Sequence, residues 1–421
     1  MKSPGGDAML ERGFSALRYR NFRLYWFGQM ISLVGTWMQW VAQAWLVLQL
    51  TNSPLLLGVV TSLQTMPVLV LGLYGGVVAD RIPKRTLLLI TQTTSMLLAF
   101  VLAVLTSLGL VAYWHVLVLA ALLGTVTAFD MPARQAFVAE VVEPADLLNA
   151  VALNSAIFNA ARLIGPAVAG IIIGSIGVAA AFYVNGVSFL AVIAGLLSMR
   201  VHVVRHVGLP SSVLESVVEG LSYVRTTSTV LTIILLIALV GTFGMNFSVL
   251  IPVFAQDVLH VGATGFGFLM SAMGAGSLVT ALALAYVGQR STSLIVWGAL
   301  ALAVFELAFA LSPLYPLSLL LMVGMGWAMV TFLTTANTTL QLATPSRLRG
   351  RVMSLYTIVF IGSTPIGSLI IGGLANVIDP RAAMAVGALL SGAAALWAMR
   401  RPVPHPREDA AEEPESERRA A

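Results

Sequence analysis

The residues able to do chemistry in this sequence are few, and most of them sit inside long apolar runs. Gln29, Ser32, Thr36, Gln39 and Gln43 follow one another at steps of three and four, which places all five on one face of a helix. Ser155, Asn159 and Arg162 keep the same spacing, with Pro166 next on that face, and Thr331, Thr334, Thr338 and Gln341 form a third stripe beside Asn337. Amides and hydroxyls in hydrocarbon must look at other helices or at water. Two readings follow. The stripes line a polar path through a helix bundle, or they tie helices together by hydrogen bonds of about 0.6 kcal/mol per pair.

Charge is scarcer still. Arg162 lies 13 residues beyond Asn149, about 20 Å along a helix and deep inside a hydrocarbon core of about 30 Å. A cation there needs a carboxylate, backbone carbonyls or a bound anion, so it either joins helices or faces a transport cavity. Glu306 stands well inside another apolar run. It suits a proton site, protonated in apolar surroundings and ionised when wet, or else an acid near an interface paired with a donor. Asp130 ends one run and Asp257 another; both read as surface carboxylates, with proton carriage as the second choice. Gly165-Pro166-Ala-Val-Ala-Gly170, echoed by Gly362, Pro365, Gly367 and Gly372, combines small residues with a proline, which suits tight helix packing or a hinge.

These groups are positioned by a chain of 421 residues that is 58% hydrophobic and 10% charged, with a mean hydropathy of +0.92. Soluble domains carry roughly 25% charged residues, so this is an all-α polytopic membrane protein. Twelve spans are expected, at 24–49, 54–79, 87–108, 114–132, 148–174, 177–199, 229–255, 265–287, 292–311, 316–339, 352–376 and 381–399. Between the second and third, Gly76-Val-Val-Ala-Asp80-Arg81-Ile-Pro83-Lys84-Arg85-Thr86 is too charged for hydrocarbon and forms a tight turn at a membrane surface. With both termini cytoplasmic, all 23 Lys and Arg except Arg162 and Arg381 fall on the cytoplasmic side, as the positive-inside rule requires. The expected place is therefore the inner membrane, multi-pass. No cleavable signal is expected in the polar leader, so the first span directs insertion. The net charge of +5 belongs to those loops and does not imply a nucleic-acid partner.

The expected organisation is a cytoplasmic leader (1–23), a six-helix bundle (24–199), a linker (200–228), a second six-helix bundle (229–399) and a disordered tail (400–421). Ser211 and Ser212 ahead of Glu215, followed by apolar residues at helical spacing, predict an amphipathic helix in the linker. Asp146-Leu-Leu-Asn149 before the fifth span is echoed by Arg347-Leu-Arg349-Gly350 before the eleventh. Two six-span halves in parallel repeat put a substrate site at their interface.

Other chemistries find no support. Neither Lys2 nor Lys84 follows a glycine as a P-loop requires, no His-Glu-x-x-His is present, and Gly186-Val-Ser188-Phe-Leu lacks the closing glycine of a nucleophile elbow. The chain has no cysteine, which removes disulfides and thiolate chemistry. No catalytic residue, metal or cofactor is expected, and the chain does not read as an enzyme.

Gly76, Asp80, Arg81, Lys84 and Arg85 in their spacing resemble the signature between the second and third helices of the major facilitator superfamily, and Gly165-Pro166 with Gly170 resembles the fifth-helix motif of its antiporters. Arg20-Asn-Phe-Arg23-Leu-Tyr-Trp26, Ala128-Phe-Asp130-Met-Pro132-Ala-Arg134-Gln135 and Asp146 to Ser155 are similar to the bacterial branch that includes the enterobactin exporter. The resemblance implies two bundles that rock about a central cavity, driven by protons, with Asp80, Arg81 and Arg85 as an inner gate meeting the chain near Gly350. Two departures stand out. Pro83 replaces the usual glycine, and the second copy of the motif has decayed to Val287-Gly288-Gln289-Arg290. The expectation is a monomeric secondary transporter that exports small organic molecules in exchange for protons. An uptake symporter or uniporter, and a membrane sensor or lipid-processing enzyme, are the alternatives.

Overall fold

The computed structural model describes residues 13–199, 221–287 and 292–401. The first residues of the leader, nearly all of the amphipathic linker, residues 288–291 of the decayed motif and the tail from 402 lie outside the described residues.

Thirteen helices account for the twelve expected spans. They are α1 (Arg20–Thr51), α2 (Pro54–Arg81), α3 (Lys84–Ser107), α4 (Tyr113–Val141), α5 (Leu147–Ile176), α6 (Val178–Leu197), α7 (Ser228–Phe243), α8 (Phe247–Val253), α9 (Gly262–Val287), α10 (Ser293–Leu311), α11 (Tyr315–Ala343), α12 (Ser346–Val377) and α13 (Pro380–Met399). Turn chemistry sets several of the ends. Pro54 occupies the first position of α2 behind Ser53, whose hydroxyl accepts from the Leu56 amide, and the Asp379 carboxylate caps α13 by accepting from the Arg381 and Ala382 amides.

Each half forms a six-span bundle with one pairing scheme. In the first, α1 packs on α5 and α6, α2 on α4, and α3 on α4 and α6. In the second, α7 packs on α12 and α13, α9 on α11, and α10 on α11 and α13. Span for span these are the same pairs, so the repeat read from two short motifs extends through the packing. The bundles meet through α2 against α12 and α5 against α9. Small residues allow the approach: on Gly170 of α5 a Cβ would lie 2.9 Å from the Thr264 carbonyl and 3.1 Å from the Gly267 Cα of α9.

Two expected boundaries are corrected. The fourth span does not stop at Pro132 but runs to Val141. A proline forfeits only its own bond to the carbonyl four residues back, and the Asp130–Arg134 ion pair spans the gap. Asp130 is therefore no surface carboxylate; it is buried inside the helix. The seventh span is not continuous, because α7 ends at Phe243 and α8 begins at Phe247. At the break, Asn246 Nδ2 donates to the Thr242 carbonyl, and a Cβ on Gly244 would stand 2.6 Å from Ser391 Oγ.

Candidate functional site

The face formed by the end of α1, the start of α2 and the ends of α5 and α12 is where the bundles are joined. Ser62 Oγ donates to the Pro365 carbonyl at 2.5 Å and lies 3.0 Å from Ser368 Oγ. Ser53 Oγ donates to Asn376 Oδ1 at 2.8 Å, Gln256 Nε2 to Asn52 Oδ1 at 2.8 Å, and Thr264 Oγ1 to the Gly170 carbonyl at 3.0 Å. Toward the other face, which carries the basic turn, α2 and α4 part from α12 around a cleft of about 330 Å³. Gly72 and Leu73 line it on one side and Gly350 and Met353 on the other.

Lys84 and Arg85 of the turn bind their own bundle. Lys84 Nζ pairs with Glu140 at 3.0 Å. Arg85 donates to the carbonyls of Leu196 and Leu197 at 2.7 and 3.0 Å, closing the C-terminal end of α6. Asp80 and Arg81 are exposed, and open space surrounds Gly76 and Gly350.

The polar stripe of α1 divides between neighbours. Gln39 is buried and accepts a hydrogen bond from Asn185 Nδ2 of α6, inside the first bundle. Gln43 donates to Gln64 Oε1 of α2 at 2.7 Å and lines a small cavity with Trp40 and Ser248 of the second bundle. Gln29 is buried, and Thr36 donates to the Ser32 carbonyl of its own helix. Asn159 likewise bonds within α5, to the Ser155 carbonyl. In α11, Gln341 bonds Asn337 at 2.7 Å.

Arg162 sits where α5 meets both α1 and the second bundle. Its Cζ lies 5.7 Å from the Trp37 ring centroid, and Nη2 approaches Met329 Sδ of α11 at 3.6 Å. Its Nε is buried without a hydrogen-bond acceptor among the described residues. Trp37 also contacts Phe158 and Trp40 at ring separations of 5.6 and 5.8 Å. Helix spacing could not announce this cluster, since its members come from α1, α5 and α11. Around it, Gly165 lets α5 close on α1, with a Cβ there 2.6 Å from the Trp37 Cβ. Pro166 frees the Arg162 carbonyl, and Gly274 of α9 comes close to it: a Cβ on that glycine would lie 2.7 Å away.

The three acids are not brought together. Asp130 is saturated: one oxygen accepts from Thr91 at 2.7 Å and Gln92 at 2.8 Å, and the other pairs with Arg134. Asp257 is exposed in the π-helical turn Phe254–Val258. Glu306 is 2% exposed in the core of the second bundle. Among the described residues its Oε2 has no donor and the neighbouring Ser391 hydroxyl no partner, and both border the break at Gly244.

Sequence reading missed one more cluster. Asp146, noted above only for its repeat and family motifs, receives Ser15 Oγ at 2.6 Å, Arg18 Nη2 at 2.5 Å and the Tyr19 hydroxyl at 2.8 Å, while Asn149 bonds the Ala16 amide and the Gly13 carbonyl. The segment before α1 is thereby clasped to the α4–α5 connection.

The family described as transmembrane secretion effectors matches residues 11–419. The chain is 30% identical to the multidrug efflux pump Tap of Mycolicibacterium fortuitum over 390 residues, covering 88% of this chain and 94% of that protein. It is 24% identical to the enterobactin exporter EntS of Shigella boydii, covering 85% and 86%. Among solved structures, a bacterial homologue of the human lysosomal transporter Spinster superposes with a TM-score of 0.71 at 14% identity, over 91% of this chain and 98% of that one. These matches set aside the sensor and lipid-enzyme alternatives. The chain belongs to the transmembrane secretion effector family of the major facilitator superfamily and is a membrane transporter.

Proposed function

We propose that the protein exports small organic compounds across the cytoplasmic membrane by alternating access, in exchange for protons. The observation that carries this reading is the asymmetry of the bundle boundary, hydrogen-bonded at one face and parted around a cleft at the other. Two bundles that meet chiefly through α2–α12 and α5–α9 can rock about these contacts, closing the cleft as the bonded face opens. The distribution of Lys and Arg supports a cytoplasmic cleft, with both termini on that side. Export is supported by the similarity to a multidrug pump and a siderophore exporter. On closure, Asp80 and Arg81, free on the basic face, act as the gate that reaches the Gly350 region. The transporter works as a monomer, since the cavity lies between its own two halves.

Glu306 is the proposed proton carrier. Apart from Arg381 at the far end of α13, the helices packed beside it, α11 and α13, carry no Asp, Glu, Lys, Arg or His, and α7 and α8 carry none. A lone buried carboxyl has no partner there for a negative charge. Next to the break between α7 and α8, proton loss therefore requires water or a donor to reach it, which ties its charge to helix movement. Proteoliposomes with an imposed pH gradient test this. The wild type is expected to move a compound from a broad panel against proton flow, while Glu306→Gln retains exchange without gradient-driven accumulation. Undiminished accumulation by Glu306→Gln would overturn the assignment.

A further inference from the structure

Among the described residues, the cation at the centre of the molecule has no anion beside it. The helices packed around Arg162 offer almost no counter-charge: α6, α9 and α11 carry no charged residue, and α1 has only Arg20 and Arg23 at its basic-face end. The acids of α4 are already engaged, Asp130 by Arg134 and Glu140 by Lys84. What the guanidinium does have is a ring face and a thioether, the latter a weak acceptor, and its Nε–H meets no acceptor among the described residues.

Resting on the transport reading above, we infer that Arg162 is the docking point for an anionic group on the transported compound, a carboxylate or similar oxyanion, whose aromatic or apolar body lies against Phe158 and Trp40. Depth supports this. Trp37, Arg162, Gly274 and Met329 each stand twelve to fourteen residues from the ends of their helices at the bonded face, or about 20 Å of helix rise, which is mid-membrane. The site also straddles the bundle boundary, since Arg162 belongs to the first bundle and Met329 to the second. An anion bridging there would be sensed by both halves. A guanidinium presents a planar fork that suits two carboxylate oxygens. The ring surface beside it is free, with Phe158 47% and Trp40 41% exposed. A cationic compound would instead meet Arg162 as a like charge at low dielectric.

The test uses the purified full chain and three matched probes, 2-naphthoate, 2-naphthamide and 2-naphthylmethylammonium, with binding followed by calorimetry at equilibrium. The acid is expected to bind roughly tenfold or more tighter than the amide, and the amine weakest. Arg162→Gln should erase the difference between acid and amide, and Arg162→Lys should keep most of it. Trp37→Phe, which leaves the charge in place, should weaken all three probes together. If Arg162→Gln does not fold, the probe order on the wild type and on Arg162→Lys decides. Equal binding of acid and amide by the wild type, no binding of the acid, or an acid preference that survives Arg162→Gln would each overturn the inference and leave Arg162 as a cation holding Trp37 and Met329 together. Because binding needs no gradient, failure of coupled transport with the acid preference intact would count against the transport reading alone.

Discussion

Ser62 on α2 donates a hydrogen bond from its hydroxyl to the main-chain carbonyl of Pro365 on α12, across the boundary between the two bundles. That carbonyl belongs to a proline inside a helix, and Ser368 Oγ on the next turn of α12 shares it at 3.2 Å. One turn before Ser62, Gly58 abuts the Ser368 carbonyl so closely that no Cβ fits. Gly58→Leu should force α2 off α12 and open this face. Labelling of a cysteine placed at Ser53 by a membrane-impermeant maleimide should then rise by roughly tenfold; unchanged labelling would show that the Gly58 contact does not hold the face shut.

The buried pair of Asp130 and Arg134 is a structural element of the first bundle. Asp130→Asn leaves Arg134 without its counter-charge and should cost about 3 kcal/mol of stability, read as a lowered unfolding midpoint in detergent. Adding Arg134→Gln to it should recover part of that loss, because the uncompensated charge is gone. A double variant less stable than the single by the full cost of a second lesion would contradict the pairing.

The clasp on Asp146 makes a different prediction. Arg18 is 62% exposed at its side chain, so the ionic part of the contact is weak, and the hydrogen bonds from Ser15 and Tyr19 matter more. Asp146→Ala should raise amide hydrogen exchange at residues 13–19 while leaving α4 and α5 protected. Exchange that stays slow in this segment would mean that something other than Asp146 holds it.

Much of the architecture was legible in the sequence because hydrocarbon imposes it. Run length and the one-sided distribution of Lys and Arg place all twelve spans, and only features that cost no hydropathy were misread. Pro132 looks like a helix end, yet the helix continues because a single lost bond is cheap beside the Asp130–Arg134 pair. The break between α7 and α8 leaves no mark in hydropathy. The stripe from Gln29 to Gln43 is correctly one helical face, but spacing cannot say which neighbour a face meets; Gln39 turned out to serve α6 and Gln43 to serve α2. Arg162 was visible as an expensive residue, whereas its contacts with Trp37 and Met329 depend on the packing of α1, α5 and α11.

Under alternating access the bonded face must open for transport. The chain has no cysteine of its own, so Ser53→Cys with Asn376→Cys, at side chains whose polar atoms lie 2.8 Å apart, can be joined by a short reducible cross-linker in proteoliposomes. Uptake is measured for whichever anionic, neutral or cationic dye the wild type moves under a pH gradient. Cross-linking is expected to abolish movement, and a reductant to restore it. Movement by the cross-linked protein at the uncross-linked rate, or no gradient-driven movement of any dye by the wild type, would contradict this.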